Sequence, residues 1–306
     1  RDRLRSRGLG DVYKRQFCGM IGTHGVKMAN AAVNECDVLF LVGARVGDRA
    51  VKTPLALEKT TKIIHIDIDP AEIGKNIGAD LPLVGDAKLV LQQMTELAKP
   101  MKHDEWIAHI KTLGGERKYV EPAKGTVNPR VFIDRLAKKM PANVTVVADV
   151  GQNQIWTCTE YKFRKEGRLL TSGGMGTMGY SVPAAIGAKM ADNSRATVAI
   201  CGDGAFQMSF MELATAVQFG VDIKVVVMTN NRLGMVRELQ TNGYHDRQTA
   251  VFLDGSPDFI KLAEAYGIPA MRVYDDDTME KGVEMLAEHK GICLVEVVVD
   301  KDMPTL

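Results

Sequence analysis

No apolar run in this chain approaches the ~20 residues that a membrane-spanning helix needs, so no membrane partner is expected. The five cysteines, at positions 18, 36, 158, 201 and 293, are odd in number, widely scattered and form no CxxC pair. That spacing offers neither a disulfide framework nor a zinc site, and a reducing, cytoplasmic setting is the default. Six scattered histidines form no HExxH or similar metal motif. There is no short-period repeat and no low-complexity tract. What is present is ordinary for a globular protein, with 45% hydrophobic and 25% charged residues. A length of 306 residues suits two domains, each large enough for its own core.

Residues 1–16, "RDRLRSRGLGDVYKRQ", carry six Lys/Arg against two Asp in a chain whose net charge is only +1, so the remainder is mildly acidic. A basic arm for nucleic acid and a targeting peptide both fit such a charge run. The stretch instead resembles translated adapter sequence found at the ends of genes predicted from environmental assemblies. It is set aside as non-native, and no nucleic-acid partner is inferred from it. The ending "KDMPTL", just after a strand-like run, is expected to be a truncation.

From residue 17 short apolar runs alternate with helical stretches. "NAAVNECD" reads as a helix end, and "VLFLVGAR" and "KIIHIDIDP" as strands. Few charges and many β-branched residues predict a parallel sheet covered on both faces. "AKLVLQQMTELA", 87–98, reads as an amphipathic helix that closes a first domain, 17–98. Residues 99–125 mix charge, Gly and Pro and read as a linker holding one helix. A second domain, 126–306, begins with "NPRVFIDRLAKKM", where Asn128 is the N-cap and Pro129 the first helical residue. Strands are predicted at "VTVVADVG", "LLTS", "TVAICGDG", "IKVVVMTNN" and "ICLVEVVVD". Helices are predicted at "NQIWTCTEYK", "YSVPAAIGAKMA", "FMELATAVQFG", "PDFIKLAEAYG" and "TMEKGVEMLAEHKG", with "MRVYD" between the last two. The fold class is α/β, with an open sheet.

The stretch "CGDGAFQMSF", 201–210, places Asp203 between Gly202 and Gly204 at the end of an apolar run. Taken alone, Asp-Gly reads as a turn, and Asn230-Asn231 reads as a strand-ending turn. Their strands, however, are joined by one helix, and a right-handed crossover puts both carboxyl ends on one sheet edge. Neighbouring strands lie only ~5 Å apart, so the Asp203 carboxylate and an Asn230 amide oxygen can meet there. Open α/β sheets bind ligands at that edge. Hard oxygen donors suit Mg²⁺, which takes its other ligands from phosphate and water. The flanking glycines admit a phosphate to the backbone N–H groups, and the following helix N-terminus favours an anion.

"GDGAFQMSFMELATAVQFGVDIKVVVMTNN" resembles the GDG…NN signature of thiamin-diphosphate enzymes. "DVGQNQIW", "TSGGMGTMGYSVPAAIGAKMA", "NNRLGMVRELQ" and "GTHGVKMANAAVNECDVLFLVGAR" resemble the large catalytic subunit family of acetolactate (acetohydroxyacid) synthases. The resemblance runs over residues 17–306. It implies a partial central, Rossmann-like FAD-binding domain at 17–98 and a parallel-sheet thiamin diphosphate-binding domain at 126–306. The family's N-terminal pyrimidine-binding domain has no counterpart in these residues. Nor has its glutamate, which protonates the cofactor's aminopyrimidine and normally comes from a neighbouring subunit. The chain alone is therefore expected to hold parts of the cofactors without turning over.

Roles follow from the resemblance position by position. Asp203, the Asn230 side chain and the Arg232 backbone carbonyl would ligand Mg²⁺. Gly202 belongs to the same signature, and Gly204 and Ala205 would meet the diphosphate through backbone N–H groups. Gln152 and Asn153 would reach it from the other side, although the family more often has His at the second position. Gly176 would offer its carbonyl to the aminopyrimidine, Met178 would wedge under the cofactor, and Met235 would lie beside the thiazolium. By residue type alone Met178 is a core residue, His24 a structural histidine and Arg49 half of a surface ion pair. The resemblance places His24, Gly25, Gly43, Ala44, Arg45, Asp67 and Asp86 along FAD-contacting stretches, and Arg49 where it would pair with a keto-acid carboxylate.

The implied reaction condenses two 2-keto acids, pyruvate with pyruvate or with 2-ketobutyrate, in branched-chain amino-acid biosynthesis. A homodimer or homotetramer and a small regulatory subunit are the implied partners. Two departures bear on this. Leu239 stands where many members have Trp near the second substrate, and Val46-Gly47 replaces a bulkier or more polar pair. Two rival readings are another carboligase or decarboxylase, such as glyoxylate carboligase, and a non-catalytic flavin- or nucleotide-binding protein.

Overall fold

The structure, a computed structural model, describes residues 18–99, 101–114, 119–164 and 166–306. The segment 1–16 set aside above lies outside the described residues. The chain divides into two compact units, with the boundary between residues 117 and 118.

The first unit holds α1 (Lys27–Glu35), β1 (Val38–Val42), α2 (Pro54–Glu58), β2 (Lys62–Asp67), β3 (Leu81–Val84), α3 (Ala87–Leu97) and α4 (Asp104–Leu113). Its strands form a parallel sheet in the order β1-β2-β3. Strand β3 escapes sequence reading because it has four residues and contains Pro82, a residue confined to edge strands. Asp86 caps α3, its carboxylate accepting from the N–H groups of Lys88 and Leu89. Helix α4, inside the stretch read as a linker, packs on α1, where His109 Nε2 lies 2.7 Å from Glu35 Oε2.

The expectation of a sheet covered on both faces fails in this unit. Leu41, Leu57, Ile63 and Ile77 form a buried cluster on one face. On the other, α3 packs on β2, while Val38, Phe40 and Val42 of β1 stay exposed. One helix over three strands leaves the outer strand's apolar positions bare.

The second unit holds α5 (Pro129–Lys139), β4 (Thr145–Ala148), α6 (Gln152–Glu160), β5 (Arg168–Thr171), α7 (Ser181–Ala191), β6 (Thr197–Gly202) and α8 (Asp203–Gln207). It continues through α9 (Leu213–Gln218), β7 (Lys224–Thr229), α10 (Gly234–Gly243), α11 (Phe259–Ala265), β8 (Ala270–Val273), α12 (Asp276–Glu288) and β9 (Cys293–Val298). The six strands are parallel, in the order β5-β4-β6-β7-β9-β8. Asn128 caps α5 as predicted, its Oδ1 accepting from the N–H of Arg130 at 2.9 Å, with Pro129 in the first turn.

Here both faces are covered. Strands β4 and β7 are buried at every residue, and β6 at all but Gly202. One face packs on α5, α6 and α12 through Phe132, Leu136, Trp156 and Leu286. The other packs on α7, α8, α9 and α11, where Phe206 meets the Phe259 ring edge-on at 5.4 Å. The helix predicted over 210–220 starts as a 3-10 turn, Phe210–Glu212, before α9. Gly220, at φ +58, ends it. All five cysteines are free. Burial holds the thiols of Cys158 and Cys293 up at about 11, so they stay protonated near neutral pH.

Candidate active site

Strand β4 leads on to β5 on one side, and β6 leads on to β7 on the other. The direction of winding therefore reverses between β4 and β6, and ligands bind open α/β sheets in the crevice at such a reversal. A cavity of ≈110 Å³ opens there, walled by the turns after β4, β6 and β7 and by Met178.

Asp203 follows β6 directly and is 2% exposed. Its Oδ1 accepts from the Gly204 N–H at 2.8 Å. Its Oδ2 accepts from the N–H groups of Asn230, at 3.1 Å, and Asn231, at 2.6 Å. That double acceptance fixes the turn after β7, where Asn231 sits at φ +52, a left-handed conformation that Asn tolerates. Asn230 Oδ1 accepts from the Arg232 N–H at 3.1 Å, and its Nδ2 donates to Gln152 Oε1 at 3.3 Å. The Arg232 guanidinium donates to Asp254 at 3.0 Å and lies 4.6 Å from the centre of the Phe252 ring.

Burial pushes the Asp203 carboxyl up to about 6, against the opposing pull of its three N–H donors. A buried carboxylate met by neutral donors is a natural seat for a cation. Among the described residues no group of three or more His, Cys, Asp or Glu side chains is placed to hold a metal. A cation here would thus take one carboxylate, the Asn230 amide oxygen and backbone carbonyls, and draw the rest from phosphate and water. That donor set fits Mg²⁺.

Side chains crowd the backbone closely at two glycines. A Cβ on Gly204 would stand 2.7 Å from Leu233 Cδ2 and 3.3 Å from Met178 Cε, so these side chains close over the dipeptide. A Cβ on Gly234 would fall 1.9 Å from Gln152 Oε1. The Gly204 N–H, expected to meet a diphosphate, donates here to the Asp203 carboxylate; Gly202 and Ala205 line the cavity beside it.

Gln152 and Asn153 open α6 and are buried. Asn153 Nδ2 donates to the carbonyls of Asp149, at 2.9 Å, and Ile200, at 3.2 Å. Gln152 Nε2 donates to the Met303 carbonyl at 2.9 Å and to Thr305 Oγ1 at 3.1 Å. Met235, in the first turn of α10, lines the cavity with them.

The remaining expected residues lie elsewhere. Gly176, at φ +67, is in the exposed part of the loop after β5 and is not a wall of this cavity. In the first unit, Gly43, Ala44 and Arg45 follow β1, Asp67 ends β2 and Asp86 follows β3, all at the carboxyl edge of that parallel sheet. Asp67 Oδ1 accepts from the Asp69 N–H, while the Asp86 carboxylate is occupied as the α3 cap. His24 and Gly25 lie in a loop tied to the Arg49 carbonyl by the Thr23 N–H at 2.8 Å. The Arg49 side chain is exposed, 4.0 Å from Asp48.

Three features were not assigned from sequence. Asp149, after β4, is a second fully buried carboxylate. Its signal, an acid closing a β-branched run, is the one Asp203 gives. Trp156 lines the cavity and donates through Nε1 to the Pro304 carbonyl at 3.2 Å. Glu238 accepts from the Thr305 N–H and hydroxyl and, with Gln152, ties residues 303–305 to α6 and α10. No local pattern signals a partner 67 residues away.

The C-terminal TPP binding domain of thiamine pyrophosphate enzymes matches residues 149–297, and the central domain of the same enzymes matches residues 3–94, reaching into the segment set aside above. The chain is similar to a probable acetolactate synthase large subunit of Methanocaldococcus jannaschii, with 39% identity over 92% of this chain and 49% of the relative. It is 36% identical to the acetolactate synthase large subunit of Lactococcus lactis, over 92% of this chain and 49% of the relative. With the isozyme 2 large subunit of Escherichia coli K12 it shares 36% identity, over 96% of this chain and 54% of the relative. The chain thus spans about half the length of the curated relatives it matches.

Proposed function

The chain belongs to the thiamine pyrophosphate enzyme family, and from that premise we propose that it carries the diphosphate site of a carboligase. The reaction would join two 2-keto acids, pyruvate with pyruvate, to give 2-acetolactate and CO₂, a step of branched-chain amino-acid biosynthesis. The carrying observation is Asp203: a buried carboxylate at the winding reversal, held by neutral donors, facing a cavity it shares with Asn230.

Asp203, the Asn230 amide oxygen and the Arg232 carbonyl would hold Mg²⁺. The backbone around Gly204 and Ala205, with Gln152 and Asn153 opposite, would hold the diphosphate. Met178 and Met235 would give the ring an apolar seat. Bound there, thiamin diphosphate would supply the electron sink for loss of CO₂, and Mg²⁺ the charge that fixes its diphosphate. The protein's own share is orientation and exclusion of water, and the buried Trp156 with the half-buried Met178 and Leu233 would serve both.

In the first unit, the row from Gly43 to Arg45, Asp67, Asp86 and the His24–Gly25 loop is the proposed FAD edge. Arg49 is the proposed partner of a keto-acid carboxylate. The proposed domains are 17–98 for FAD and 126–306 for thiamin diphosphate. A homodimer or homotetramer in the cytoplasm, with 2-ketobutyrate as an alternative second substrate, completes the reading. A small subunit is the further proposed partner, since several relatives are named as large subunits. Among the described residues no helix is long and apolar enough to cross a membrane.

Titration calorimetry of the chain with thiamin diphosphate tests the proposal. Binding is expected only with Mg²⁺ present, and Asp203→Ala is expected to weaken it at least a hundredfold. Equal binding without Mg²⁺, or by the Ala variant, would sink it.

A further inference from the structure

The loop from Ser172 to Tyr180 joins β5 to α7 and carries Met178 to the cavity. Its outer residues, Gly173 to Thr177, are exposed. Its outer turn is closed by hydrogen bonds of its own. Ser172 Oγ accepts from the Thr177 N–H, and the Ser172 carbonyl accepts from the Gly176 N–H. The loop's ends are tied to its own flanking elements, the Gly173 N–H donating to the Thr171 carbonyl of β5 and the Tyr180 carbonyl accepting from Ala184 of α7, while the Gly179 N–H crosses to the end of β4 and donates to Asp149 Oδ1 at 3.0 Å. Asp149 Oδ2 accepts from the Ser181 N–H, at 2.7 Å, where α7 begins. The third donor is the Val150 N–H, at 2.9 Å to Oδ1.

We propose that Asp149 is the positioning residue for Met178: its carboxylate ties the outer loop to the sheet at the residue next to Met178, and so sets where the methionine stands over Gly204. This rests on the thiamin-diphosphate reading of the cavity. Three facts support it. Asp149 is fully buried at the end of β4, the strand beside the winding reversal, so its place is fixed by the sheet ladder. It accepts on both sides of Tyr180, which fixes the path of the backbone through Gly179 (φ +80) as well as its distance. Its own carbonyl accepts from Asn153 Nδ2, so the same residue holds a second wall of the cavity.

The residue type is as informative as the contacts. Three N–H groups converge on one side chain, and only an ionised carboxylate is all acceptor. An asparagine would turn its NH₂ toward one of those donors. Burying a charge is costly unless hydrogen bonds compensate it, and here they come from the segment that must be held.

The test uses the full chain and does not depend on turnover. In wild type, residue-resolved hydrogen exchange is expected to protect the Gly179 and Ser181 amides at least a hundredfold more than those of 173–177. Equal exchange would overturn the tether. Asp149→Asn is expected to raise exchange at 179 and 181 at least tenfold, and to weaken Mg²⁺-dependent thiamin diphosphate binding about tenfold. Met178→Ala should weaken binding by a similar factor. Because both act through one contact, the double variant is expected to lose little more than either single one. A loss near the hundredfold product of independent effects would overturn the proposal, as would wild-type affinity in Asp149→Asn. If the Asn variant fails to fold, Asp149→Ser, which removes the buried charge and keeps one acceptor, takes its place in the same cycle. A wild-type chain that bound no thiamin diphosphate would instead sink the functional reading.

Discussion

Two parallel sheets in this chain grow from the same kind of sequence and finish differently. The six-stranded sheet buries β4, β6 and β7 on both faces, and its candidate residues other than Gly176 converge on one cavity. The three-stranded sheet leaves Val38, Phe40 and Val42 exposed, and its candidate residues are spread along an edge and two loops. Rigid flanking layers let a strand end act as a fixed point for a carboxylate. In the larger sheet two adjacent strand ends, at Asp149 and Asp203, become neighbouring anchors.

The sharpest way to break that contrast is to open the covered sheet. Phe206→Ala, on the buried side of α8 and edge-on to Phe259, is expected to cost about 3–5 kcal/mol in chemical denaturation, because its site is fully packed.

Next comes a pH effect. The folded, metal-free chain holds the Asp203 carboxyl up at about 6 against an ordinary 3.8, so the folded state binds that proton more tightly. This contribution is fully present below 3.8 and is lost as pH rises through 6, up to about 3 kcal/mol at one pKa unit per 1.36 kcal/mol. Other groups titrate in the same window, so the readout is the stability of wild type minus that of Asp203→Asn. The difference is expected to fall from pH 4 to 7, and a flat difference would refute it.

Gly234→Ala is a smaller perturbation. Its methyl must displace Gln152, which would then release Met303 and Thr305. About 1–3 kcal/mol is expected, together with faster exchange at the Thr305 amide. The smallest effect is expected in the other sheet. Phe40→Ser, at an exposed position, should change stability by no more than about 0.5 kcal/mol.

The same contrast explains what could be read from the residues beforehand. Strand periodicity and the crossover rule were enough to bring Asp203 and Asn230 together, because both lie at ends of adjacent parallel strands joined by a single helical crossover. Asp149 carries the same local signal, yet its donors sit 30 and 32 residues downstream in an irregular loop. The hold of Glu238 on Thr305 spans 67 residues with no shared element. Gly176 shows the limit from the other side, since a motif match names a loop but not which of its residues turn inward. Helix α10 was unread because it opens on Gly234, where close approach to Gln152 outweighs helix propensity.

The chain has two tryptophans. Trp156 is 2% exposed, borders the cavity and donates its indole proton to the Pro304 carbonyl. The other, Trp106, belongs to the first unit. Trp106→Phe therefore leaves a single tryptophan, which can be excited selectively over the tyrosines, set between the crevice and residues 303–305. Its emission gives a label-free gauge of filling at one side and of movement in residues 303–305 at the other.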